Sequence, residues 1–118
     1  QGLVTDCLLL VNNFRDRDTD AQVGKTTLVT IIGSRSTLIL YLLIGFAATA
    51  MACYGIAHIF AHNTFTNYIP VIFIPIHLHV FLQMLKIKHG SKLNKVLGMM
   101  ALSIFIFALI VSLVLIIR

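Results

Sequence analysis

The apolar residues of this 118-residue chain fall in four blocks, at residues 2–14, 38–60, 68–85 and 96–117. About 20 apolar residues of helix are needed to cross the hydrocarbon core of a bilayer. The last three blocks reach or approach that length and predict three membrane-spanning helices. The first is too short to cross alone and reads as the final part of a fourth helix. Three connections result, at residues 15–37, 61–67 and 86–95. Pro75 falls inside the second full span and predicts a kink, whereas Pro70 lies near that helix's start, where proline is tolerated. Ala48 and Ala52 form a small-xxx-small pair suited to close helix packing. Tyr68 stands where an interfacial aromatic belongs.

Composition agrees with this pattern. Hydrophobic residues make up 58% of the chain and charged residues 11%, against roughly 25% charged in soluble domains. That balance excludes a soluble enzyme, a disordered chain, a nucleic-acid binder and a disulfide scaffold. Cys7 and Cys53 both lie in apolar blocks and read as small buried hydrophobes. The expected fold is an all-α, multi-spanning transmembrane helix bundle. The chain opens on Gln1 within an apolar run and shows no leader, which predicts a piece of a longer polypeptide whose N-terminal half lies outside it.

The net charge of +5 reads as topology. Arg15, Arg17, Lys25 and Arg35 lie in the first connection, and Lys86, Lys88, Lys92 and Lys95 in the third. The second holds no basic residue, and only Arg118 lies at the C-terminus. Eight basic residues against one place the first and third connections in the cytoplasm. Lys86 to Lys95 also suit anionic lipid headgroups.

The acids are concentrated. Asp16, Asp18 and Asp20 are three of only four acidic residues, and they directly follow Asn12, Asn13 and Arg15. If helix continues through them, Asp16 and Asp20 share a face, with Asn12 one turn deeper and Asp18 pointing away. Two like charges at that spacing repel unless a cation lies between them. Oxygen ligands suit Mg²⁺, which is commonly held by one or two carboxylates plus phosphate oxygens. Arg15, Arg17 and Lys25 could then meet phosphate. The competing reading is a charge-alternating stretch, Arg15-Asp16-Arg17-Asp18, that pairs with itself. An EF-hand is excluded because Ala21 and Thr27 stand where Gly and Glu are needed. A P-loop is excluded because Thr19 stands where its first Gly belongs.

The run from Leu10 through Asn12-Asn13-Phe14-Arg15-Asp16 to Asp20, followed by Gly24-Lys25-Thr26-Thr27-Leu28 and Gly33, resembles the second aspartate-rich motif of the UbiA superfamily of membrane prenyltransferases. Within it, the Asn-Asn pair and the Gly-Lys-x-Thr-Leu run are most like the members that prenylate 1,4-dihydroxy-2-naphthoate in menaquinone synthesis. Leu93-Asn94 resembles the pair that opens the final helix in those members. The resemblance implies a nine-helix fold in the cell (inner) membrane, with this chain as its C-terminal part. It also implies a second aspartate motif elsewhere in the polypeptide. By the same resemblance Asp16 and Asp20 hold Mg²⁺, Lys25 and less directly Arg15 meet the diphosphate of a polyprenyl donor, and Asn12 and Asn13 touch metal, donor or acceptor. The implied reaction joins the polyprenyl group to dihydroxynaphthoate with loss of its carboxylate, giving demethylmenaquinone, and the piece alone is expected to be inactive. Relatives that use 4-hydroxybenzoate or homogentisate remain alternatives, as does a non-catalytic membrane subunit or transporter segment.

Other polar residues carry weaker expectations. Asp6 lies about 15 Å from Asp16 at 1.5 Å per residue and, as an acid at membrane depth, could shape a pocket or pair with a base. His58 and His62 share a helix face but lie toward the opposite side from the aspartates. His77 and His79 are two apart and so cannot share one metal. Phe105 and Phe107 suit packing or lipid contact.

Overall fold

A computed structural model describes residues 2–59, 66–87 and 90–116. Four α-helices form the bundle: α1 Gly2–Gln22, α2 Leu28–Ile59, α3 Phe73–Ile87 and α4 Leu93–Ile116. A 3₁₀ segment, Thr66–Ile72, leads into α3. No strand occurs among the described residues. The chain is a multi-spanning helical membrane bundle: the stretches Leu28–Ile59, Asn67–Ile87 and Leu93–Ile116 are each long and apolar enough to cross. Side chains that no other helix covers, such as Leu43, Met51 and Phe105, are exposed, as expected where lipid rather than water is the neighbour.

The junction between α1 and α2 differs from the broad loop expected at residues 15–37. Helix α1 runs on to Gln22, so all three clustered aspartates are helical, and only residues 23–27 lie outside a helix. The helix stops at Gly24, whose φ of 69° is in the left-handed region that glycine adopts without a Cβ penalty. The Gly24 N–H donates to the Ala21 carbonyl at 3.2 Å, and the Lys25 N–H donates to the Asp20 carbonyl at 2.9 Å. These two bonds make a Schellman cap. Helix α2 begins with a reciprocal threonine box. The Thr27 N–H donates to Thr30 Oγ1 at 2.8 Å, and the Thr30 N–H donates to Thr27 Oγ1 at 3.3 Å, so two of the orphan donors at a helix start find partners. Gly33, with φ 78° and ψ 167°, then breaks α2 and separates its first turn from the long apolar part.

The second correction concerns Pro75. It bends no helix interior, because α3 starts at Phe73 and Pro75 falls in its first turn. A missing N–H costs nothing there, since the first four amides of a helix have no intrahelical acceptor. The residues before it, including Pro70, take the tighter 3₁₀ form.

The core lies where all four helices meet. Val4, Cys7, Val11 and Phe14 of α1 pack with Tyr41 of α2, Phe73 and Met84 of α3, and Val96 and Met100 of α4. At its centre His77 is 1% exposed and stacks on Tyr41 at a ring separation of 4.2 Å, with Phe73 at 5.5 Å. Gly45 is required opposite it, because a Cβ there would overlap the His77 ring. Cys7 and Cys53 are both free thiols.

Candidate functional site at the end of helix α1

Helix continuity decides the geometry. Asp16 and Asp20 lie four residues apart on α1, hence on one face and about 6 Å apart along the axis. The same face carries Asn12 one turn deeper. Below it, Asn12, Arg15, Asn94, Leu8, Leu9 and Leu97 help to line a groove of about 770 Å³ between α1 and α4. The groove is polar at the aspartate end and mostly apolar along its length. Asn13 is half-buried beside Asn12 and is not among the groove's lining residues.

The aspartates differ sharply. Asp16 is held by Arg15: Nε donates to Oδ1 and Nη2 to Oδ2, both at 2.7 Å. That bidentate contact holds the Asp16 carboxyl below its ordinary range. Arg15 Nη1 donates in turn to Asn94 Oδ1 at 2.9 Å. Asp18 pairs with Arg17 at 3.3 Å, and the Arg17 guanidinium lies 4.6 Å from the centre of the Phe14 ring. The Arg15-Asp16-Arg17-Asp18 run therefore does pair with itself.

Asp20 stands outside that pairing. Its side chain is 10% exposed and meets one cation, Lys25, whose Nζ is 3.3 Å from Oδ1. The Schellman cap explains this contact. It folds the chain back after Gly24 and sets Lys25 over the carboxylate five residues earlier. The other oxygen, Asp20 Oδ2, is buried and has no hydrogen-bond partner among the described residues. A buried carboxylate oxygen without a donor is costly, and a hard cation is the group that oxygen suits. Asp16 and Asp20 supply two carboxylates, and no cluster of three or more His, Cys, Asp or Glu occurs among the described residues. The residues present thus fit part of a cation site, with further ligands to come from phosphate, water or another segment.

The remaining polar candidates are kept apart from this end. Asp6 is exposed and lines a separate groove of about 600 Å³ with Ala48, Ala52 and Gly55. His58 meets Tyr54 at 3.0 Å, and His62 lies outside the described residues. His77 is sealed in the core while His79, on the exposed side of α3, approaches Gln83 at 3.5 Å. Phe107 is buried against Phe73 and Phe105 is exposed. Asn94 is the residue whose place at the site the sequence pattern did not reveal. Its 79-residue separation from Arg15 leaves no local signal.

No curated protein and no solved structure matches the chain. A family match nevertheless extends over residues 1–109, taking in α1 with its aspartates, α2, α3 and most of α4. The chain belongs to the UbiA prenyltransferase family.

Proposed function

We propose that this chain carries one of the two aspartate motifs of a Mg²⁺-dependent polyprenyltransferase, the other lying in a preceding part of the same polypeptide. In this reading the enzyme transfers a polyprenyl group to 1,4-dihydroxy-2-naphthoate with loss of the carboxylate, a step of menaquinone synthesis. Family membership supports aromatic prenyl transfer in general. The observation that carries the metal reading is the buried Oδ2 of Asp20, unpartnered among the described residues, one helical turn from Asp16 and beside Lys25. The Asn12-Asn13 pair and the Gly24-Lys25 turn support the naphthoate acceptor.

The roles follow from the chemistry. Bond cleavage sends the electron pair of the allylic C–O bond onto diphosphate. The carbon left behind is attacked by the electron-rich ring, which then releases carbon dioxide. Asp16 and Asp20 would hold Mg²⁺, which when bound would supply positive charge against the leaving diphosphate. Lys25 reaches diphosphate oxygens as a mobile point charge. Arg15 spends three of its five N–H groups on Asp16 and Asn94 and offers the remaining two. Asn12 and Asn13 orient donor or acceptor. The groove between α1 and α4 offers an apolar wall for the polyprenyl tail. The basic connections support a cytoplasmic position for this end of the bundle in an inner-membrane protein, next to anionic lipid.

The test is prenyl transfer by membranes that carry the complete reading frame, supplied with polyprenyl diphosphate and each aromatic acceptor in turn. Dihydroxynaphthoate should be consumed with a matching yield of demethylmenaquinol, read as demethylmenaquinone after oxidation in air, and Asp16→Ala and Asp20→Ala should each lower the rate by about 100-fold or more. Near-normal turnover in either variant at saturating Mg²⁺ removes the metal assignment. Transfer to 4-hydroxybenzoate or homogentisate instead changes the acceptor and leaves the site.

A further inference from the structure

Arg15 and Asp16 are neighbours in sequence, and neighbours on a helix point about 100° apart. A bidentate contact between them obliges the arginine to curl around its own helix. A long side chain with about 2 kcal/mol of rotamer entropy holds such a posture poorly unless something else anchors it. The anchor is visible. Arg15 Nη1 donates to Asn94 Oδ1 at 2.9 Å, a contact that joins α1 to the first turn of α4. Only the amide oxygen can accept from a guanidinium, so the orientation of the Asn94 side chain is fixed by chemistry.

Asn94 is itself well placed to act as a fixed point. Leu93, beside it, is fully buried. The turn before it is closed by Leu93 N–H donating to the Gly90 carbonyl at 3.0 Å and Asn94 N–H donating to the Ser91 carbonyl at 2.9 Å. Gly90 permits that turn with a φ of 88°. A hydrogen-bonded turn opening one helix thus presents an exposed amide to a guanidinium on another, and that guanidinium grips both oxygens of the Asp16 carboxylate.

We propose that Asn94 is a positioning residue for Asp16, acting through Arg15, and that the turn at residues 90–94 thereby helps to shape the diphosphate site. The inference rests on the reading of Asp16 as a metal-binding carboxylate. It assigns Asn94 no contact with metal or substrate.

The test is a double-mutant cycle read by binding. The complete protein in detergent is titrated with geranyl diphosphate, with and without Mg²⁺, as wild type, Asn94→Ala, Asn94→Leu, Arg15→Ala and the Asn94→Ala/Arg15→Ala double variant. Asn94→Leu keeps the side-chain volume and guards against a folding defect in the alanine variant. Both Asn94 variants should weaken Mg²⁺-dependent binding about five-fold, the loss of one charge-assisted hydrogen bond, with an unchanged melting temperature. The double variant should bind no worse than Arg15→Ala alone. A raised half-saturating Mg²⁺ concentration in transfer assays, at unchanged KM for the aromatic acceptor, is the accompanying signature. Wild-type binding by the Asn94 variants, or losses that simply multiply in the double variant, overturns the proposal while leaving the metal site standing. A wild-type protein that shows no Mg²⁺-dependent binding overturns the parent reading and this one together.

Discussion

Asp20 Oδ2 and both ring nitrogens of His77 are buried without hydrogen-bond partners among the described residues, yet their surroundings are opposite. His77 is clamped between Tyr41 and Phe73, with Phe46 edge-on at 6.2 Å and Gly45 pressed against its ring. Aromatic faces and a glycine leave no room for a ligand. Asp20 lies at a helix end beside the exposed ammonium of Lys25, one turn from a second carboxylate, Asp16. An unpartnered polar atom therefore does not by itself mark a site. What separates the two is their company: an ammonium and a nearby second carboxylate at Asp20, aromatic rings and a glycine at His77.

The contrast can be broken from either side. The largest expected effect is on activity, through the aspartate substitutions described above. The same assay applied to His77→Phe should give transfer within about three-fold of wild type, because a ring of similar size preserves the stack. A loss as severe as that of Asp20→Ala would put His77 in the chemistry and erase the distinction.

Next in size is stability. Gly45→Ala should cost about 1–3 kcal/mol, because the new methyl overlaps the His77 ring. Adding His77→Ala should recover part of that loss, since the obstructing ring is gone. Thermal unfolding in detergent checks both, and strictly additive losses would show that the two residues do not share a contact.

Gly24→Ala is smaller and acts at the other region. A Cβ at φ 69° costs about 1 kcal/mol, and it should loosen the Schellman cap that sets Lys25 over Asp20. The expected result is a several-fold rise in KM for the polyprenyl diphosphate with little change in KM for the acceptor. Equal rises in both would argue that the cap has no specific tie to the diphosphate.

The smallest effect is electrostatic. The Asp16 carboxyl is held below its ordinary range by Arg15, so this pairing stabilises the fold above the ordinary carboxylate pKa and the benefit is lost as pH falls through the depressed value. Carbon-detected NMR titration of the metal-free protein should find Asp16 titrating low, and Arg15→Ala should return it upward. An Asp16 that titrates normally in the unsubstituted protein would mean the bidentate contact is not maintained.

Much of this was legible in the sequence because membrane helices write long apolar blocks and place their charges at the ends. The three spans, the aspartate face and the glycine-lysine pair are local patterns. Pro75 was misjudged because span boundaries read from hydropathy do not distinguish 3₁₀ from α, so a residue in a first turn looked interior. The extent of α1 was hidden by its charges, which resemble a loop although Asp16 and Asp20 sit within continuous helix. Gly33 gave no sign that it breaks α2. Asn94 could not be found at all by spacing, since its partner lies in a different helix.

Asp16 and Asp20 are proposed to take a metal–diphosphate at the end of α1. The most direct test is binding of geranyl diphosphate to the complete protein with and without Mg²⁺, comparing wild type with Asp20→Asn, which keeps size and removes charge. The account predicts tight binding by the wild type only when Mg²⁺ is present, and loss of that Mg²⁺-dependent part in Asp20→Asn. Equal, Mg²⁺-dependent binding by both would contradict it, because the buried Oδ2 would then have no part in holding the ion.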